Sequence, residues 1–133
     1  MGEKYYKGLY LIGSLYDIIL GFGFLLFYKP IYALLGMNLP NNPAYLSCCT
    51  MLIGLYGILL FMIYKDLKNS RNMVIYATLI KFGFFGVVFT YYLFIGSQYI
   101  DFPFRILGGV DLIFGLLFLE SLRFVKNQSA KAK

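Results

Sequence analysis

The chain has 133 residues, 60% of them hydrophobic and 14% charged, with 12 Lys and Arg against 6 Asp and Glu and a net charge of +6. A soluble domain carries about 25% charged and about 45–50% apolar residues, so these values and a mean hydropathy of +0.72 exclude an ordinary water-exposed fold. The absence of His removes His-ligated haem and zinc, Ser–His and Cys–His relays, and the imidazole pH switch.

A bilayer core about 30 Å thick needs roughly 20 apolar residues of helix. Four stretches meet that length, at about 6–28, 44–64, 72–94 and 104–124. Little chain remains beyond them. The sequence therefore predicts an all-α polytopic membrane protein, a single domain formed by an antiparallel bundle of four transmembrane helices. The first span is too long for a signal-peptide apolar region, carries Asp17 and lacks a small-residue cleavage site, so it reads as a retained helix. Pro30 then opens the apolar run Ile31-Tyr32-Ala33-Leu34-Leu35, which Gly36 closes. Pro at the first helical position and Gly after the last predict a short interfacial helix there. Asn38 to Pro43 is turn material.

The second span carries the adjacent Cys48 and Cys49. Neighbours on a helix point about 100° apart, so a disulfide between them would be strained. No C-x-x-C motif is present, which argues against a disulfide-exchange enzyme. Lys65 to Arg71 and Gly96 to Pro103 form the remaining links. Short links make sequential neighbours antiparallel.

Charge sets the expected orientation. The terminal segments and the second link hold Lys4, Lys7, Lys65, Lys68, Arg71, Arg123, Lys126, Lys131 and Lys133, while the other two links hold only Lys29 and Arg105. The positive-inside rule then puts both termini on the cytoplasmic side of a cytoplasmic-type membrane. The same distribution explains the net charge through topology and anionic headgroups, and no motif for reading nucleic acid accompanies it.

Three charged residues lie within spans, away from their ends: Asp17, Lys81 and Asp111. Each costs about 2.5–3.5 kcal/mol at a helix centre on insertion scales, so such residues face a helix bundle interior, pair, or mark a path for an ion or ligand. At 1.5 Å per residue all three fall in the middle third of the bilayer, and the Lys81 stem can reach either acid. Helical spacing puts them on stripes of small and polar residues. These are Tyr10, Ser14, Asp17, Gly21, Phe24 and Tyr28, then Ser47, Thr50, Gly54, Gly57, Phe61 and Tyr64. Thr78, Lys81 and Phe85 share a face of the third span, as do Phe104, Gly108, Asp111, Gly115 and Phe118 of the fourth. Three readings stand side by side: a structural ion pair that fixes register with the spare acid protonated, a site for a proton, a cation or an amine-bearing apolar ligand, and a Lys81 that faces lipid and snorkels.

Tyr5, Tyr6, Tyr28, Tyr64, Tyr91 and Tyr92 fall at span ends, where aromatic belts sit. Tyr10, Tyr16, Tyr56 and Tyr76 lie deeper, and their hydroxyls need partners. Tyr16 and Tyr56 join Asp17, Lys81 and Asp111 as candidates for ligand or proton binding. No metal ligand set, cofactor motif or catalytic residue is assigned. The Asp17-x-x-x-Gly21 pattern returns as Asp111-x-x-x-Gly115; these spans run in opposite directions, the arrangement of an inverted repeat.

The layout resembles the DoxX-like group of small four-helix membrane proteins. The residues that carry the resemblance are Asp17-x-x-x-Gly21, Phe27-Tyr28-Lys29-Pro30, Leu34-Leu35-Gly36 with its Pro-rich link, and Gly109-Val110-Asp111-Leu112. That resemblance implies a role such as an oxidoreductase-associated subunit or an assembly chaperone. The layout is also similar to membrane sterol isomerases, which use acids inside a helical bundle. Small multidrug transporters share one acid in the first span but are shorter and carry a membrane Trp that is missing here. Small fluoride channels have dual topology, against which the basic bias argues. The expected function is an accessory or assembly subunit, or a binder of a small apolar or amine ligand, more a binder than an enzyme. The alternatives are a proton-coupled transporter using Asp17, Lys81 and Asp111, and a lipid or sterol isomerase using an acidic pair. Expected partners are the lipid bilayer, a membrane protein or a second copy, and a small apolar ligand.

Overall fold

The computed structural model describes residues 2–131; Lys133, counted above among the basic residues, lies outside them. Four helices follow one another: α1 (Glu3–Leu34), α2 (Pro43–Lys65), α3 (Arg71–Thr90) and α4 (Phe102–Lys131), with no strand among the described residues. A π-helical turn, Tyr91–Ile95, prolongs α3. All four helices are long and apolar enough to cross a membrane. The protein is thus all-α and polytopic, as the hydropathy pattern predicts. The chain divides after Lys65 into two compact units, each a helical hairpin.

In the first hairpin the stripes of small residues meet. A Cβ placed on Gly21 would lie 2.6 Å from the Cα of Gly54 and 2.7 Å from the carbonyl oxygen of Thr50. One on Gly57 would lie 2.7 Å from the backbone nitrogen of Ile18 and 3.0 Å from the carbonyl oxygen of Ser14. Residues later in α1 thus meet residues earlier in α2, so the two helices are antiparallel. Only residues without a Cβ let two backbones approach this closely, and without that approach dispersion between apolar helices in lipid would be weak. The Ser14 hydroxyl donates to the Gly57 carbonyl at 2.8 Å and locks the same crossing.

α1 is longer than its span and bends. Phe27 leaves helical geometry, with φ −125° and ψ 23°. Pro30 is the cause, because it lacks an N–H and its ring crowds the carbonyl four residues back, that of Leu26. The short helix expected after Pro30 is therefore present, but it continues α1 across a kink. Beyond the bend Tyr32 is fully buried, its ring edge-on to Phe24 with centroids 6.5 Å apart. Gly36 ends the segment at φ +64°. Its N–H donates to Ala33 at 3.1 Å and that of Met37 to Tyr32 at 2.9 Å, which satisfies carbonyls the helix end would orphan.

The second hairpin packs through side chains. Cβ atoms on Gly108 and Gly115 would meet the Val88 side chain at 2.8 Å and the Phe82 ring at 3.1 Å. Position 88 faces 108 and position 82 faces 115, so α3 and α4 are also antiparallel. α4 runs well past the expected span, which ends near 124. Loss of hydropathy marks a membrane boundary, not a helix stop, and residues 125–130 contain no Gly or Pro to break the helix. Ser121 and Val125 are fully buried, and the short turn Leu67–Asn69 packs against α4 with Leu67 buried.

The expected stripes hold along α1 and α4, where Tyr10, Ser14, Asp17, Gly21, Phe24, Gly108, Asp111, Gly115 and Phe118 are buried. On α2 the stripe drifts: Phe61 is exposed, and Leu60 and Ile63 are buried instead. Tyr76, expected to lie inward, is 64% exposed, on the face of α3 opposite Ala77, Thr78 and Lys81. Cys48 and Cys49 are free thiols.

Candidate functional site

The buried face of α3 carries Val74, Ala77, Thr78, Lys81 and Val88. Lys81 is 2% exposed and Asp111 of α4 is 7% exposed. The Lys81 ammonium donates to Asp111 Oδ1 at 2.7 Å. The ring of Phe114, one turn further along α4, lies 5.5 Å from the same nitrogen, within cation–π range. Thr78, one turn back on α3, donates its hydroxyl to the carbonyl of Val74 at 2.8 Å, which keeps that hydroxyl within its own helix. A positive and a negative charge thus cancel inside one hairpin. Spacing alone allowed Lys81 to reach either acid; the structure shows the bond to Asp111.

Such a pair costs desolvation on both sides and regains it through a short, charge-assisted bond. Removing one partner strands a buried charge, at a cost of about 3–5 kcal/mol. An amine ligand or a migrating proton at Asp111 would therefore have to displace the ammonium of Lys81.

Asp17, Tyr16 and Tyr56 belong to the first hairpin. Asp17 is 3% exposed, on the stripe between Ser14 and Gly21. The Tyr16 hydroxyl oxygen is buried, and Tyr56 is buried on α2. No group of three or more His, Cys, Asp or Glu among the described residues is placed to hold a metal ion.

A further feature of the second hairpin escaped the charge-centred reading. An open groove of about 400 Å³ runs between α3 and α4, lined by Phe85, Val88, Phe89, Tyr92, Phe102, Arg105, Ile106 and Gly109. Its walls are apolar and aromatic with a single charged residue, Arg105. The Arg105 Nε donates to the carbonyl of Ile100 at 3.0 Å, and Nη2 donates to that of Ser97. Both carbonyls lie in the turn that leads into α4. That turn starts at Gly96, whose φ of +146° disfavours any other residue. Gly109 leaves the groove open, since a Cβ there would meet nothing within 4 Å. The sequence signal exists: Phe85, Phe89 and Tyr92 recur at i, i+4 and i+7, as do Phe102, Ile106 and Gly109.

Comparison of the chain with protein-family models, with curated proteins and with solved structures finds no match.

Proposed function

We propose that this chain works by binding, as an accessory protein of the membrane that holds a small apolar ligand, and not as an enzyme. The observation that carries this reading is the apolar groove between α3 and α4. Ligand pockets are mostly apolar with a few placed polar groups, and the groove has that character. The transporter and isomerase readings start from the carboxylates, and both ask Asp111 to release a lysine it holds at 2.7 Å. The resemblance to DoxX-like proteins favours the same reading, because that group includes accessory subunits and assembly chaperones. The nine basic residues of the termini and second link, against two in the other links, support termini on the cytoplasmic face.

The test is photolabelling of the full chain in membranes with an alkyl diazirine probe, followed by peptide mapping. The reading predicts saturable labelling at Phe85, Phe89 and Ile106 that Gly109→Leu abolishes. Labelling that never saturates and ignores Gly109→Leu would contradict it.

A further inference from the structure

The groove has a chemical polarity that the apolar reading alone does not use. Seven of its eight lining residues are uncharged, and the eighth is Arg105. From Arg105 to Gly109 is four residues of α4, about 6 Å of helix, and from Tyr92 to Phe85 about 10 Å along α3. The cation sits in the first turns of α4, beside the inter-helix turn. The apolar walls continue from there toward the middle of the span. A guanidinium has five N–H donors, and Arg105 spends one at Nε and one at Nη2 on backbone carbonyls. Three remain, in a side chain that is only half-buried. The two backbone bonds also hold the guanidinium in place, so it is oriented before a ligand arrives.

An apolar slot that ends in a fixed guanidinium is complementary to an amphiphile with a negative head. A planar, delocalised cation with paired donors suits phosphate better than a zwitterionic head in which an ammonium competes for the same oxygens. An amine-bearing ligand would meet like charge at Arg105. We propose that the α3–α4 groove binds an anionic phospholipid, with an acyl chain along Phe85, Val88, Phe89 and Ile106 and the phosphate on Arg105. This rests on the binding reading above and names its ligand class. One basic residue near a membrane surface is worth about fivefold, and Asp101, one turn before Arg105, offsets part of that attraction, so the preference for an anionic over a zwitterionic head is about two- to fivefold.

The experiment uses the full chain, stripped of lipid in mild detergent, and native mass spectrometry with phosphatidylglycerol and phosphatidylcholine of identical acyl chains. The expected result is a saturable one-to-one phosphatidylglycerol adduct, preferred about two- to fivefold. Arg105→Gln should bring the two lipids to equal binding. Because Arg105 also ties down the turn, Gly109→Leu is the second variant. It leaves Arg105 untouched, fills the groove and should remove the adduct, while Gly83→Leu, on an exposed glycine outside the groove, should keep it. Equal binding of both lipids to the wild type, lost in Gly109→Leu, would overturn the headgroup assignment and leave the apolar site standing. Adducts that Gly109→Leu does not reduce would overturn both.

Discussion

In the α1–α2 hairpin a Cβ on Gly21 would collide with backbone, at 2.6 Å from the Cα of Gly54. In the α3–α4 hairpin Gly108 and Gly115 face side chains, Val88 and the Phe82 ring, and that ring can move. The first hairpin brings backbone against backbone at Gly21 and Gly54, with the Ser14 hydroxyl on the Gly57 carbonyl, and the second holds a buried ion pair among aromatic rings. In lipid the helices gain little from the hydrophobic effect on meeting, so specificity comes either from fit or from polar bonds. Close fit stands out at the Gly21–Gly54 crossing, and a polar bond at Lys81 and Asp111. The second hairpin also carries the apolar groove, where Gly109 faces open space.

The comparison can be broken by substitution. The largest effect is expected in the second hairpin: Lys81→Ala should destabilise the fold by about 3–5 kcal/mol, because Asp111 is left buried without its cation. The measurement is unfolding by SDS in mixed micelles followed by far-ultraviolet circular dichroism, which suits a chain without Trp. Next comes Gly21→Ala, at about 1–3 kcal/mol, since the backbone of α2 must retreat. Gly115→Ala should cost less than about 1 kcal/mol, because the Phe82 ring at 3.1 Å can shift by a few tenths of an ångström. Equal costs at Gly21 and Gly115 would erase the distinction between the hairpins. The smallest effect is expected for Ser14→Ala, about 0.6 kcal/mol, typical of an interhelical hydrogen bond in a membrane protein.

The spans, the stripes on α1 and α4, and the Gly36 terminator were legible because each follows from local periodicity or from one residue's backbone needs. The intramembrane charges stood out for the same reason, as rare exceptions in apolar runs. That Lys81 meets Asp111 was not legible, because it depends on the register between helices and not on spacing within one. The kink was half legible: Pro30 marked the place, but the helix resumes beyond it. The continuation of α4 beyond Phe124 was not legible, because hydropathy marks the span and not where the helix stops. Tyr76 was placed inward on the strength of its depth, yet depth along a span does not decide which face a residue takes. The groove escaped because Phe, Val and Ile lining a cavity look the same in sequence as those facing lipid, and because Arg105 was read only as a topology charge.

The central claim is that the intramembrane Lys81–Asp111 pair is a structural clasp, which leaves binding to the groove beside it. The direct measurement is a double-mutant cycle with Lys81→Met and Asp111→Leu, read as unfolding free energy in mixed micelles and as lipid adducts by native mass spectrometry. Each single variant should lose about 3–5 kcal/mol, and the double variant should recover most of that loss, since an apolar pair of similar volume replaces a buried ion pair at little cost. It should also bind lipid as the wild type does. A stable double variant that has lost the adduct would contradict the claim and place these charges in the binding site.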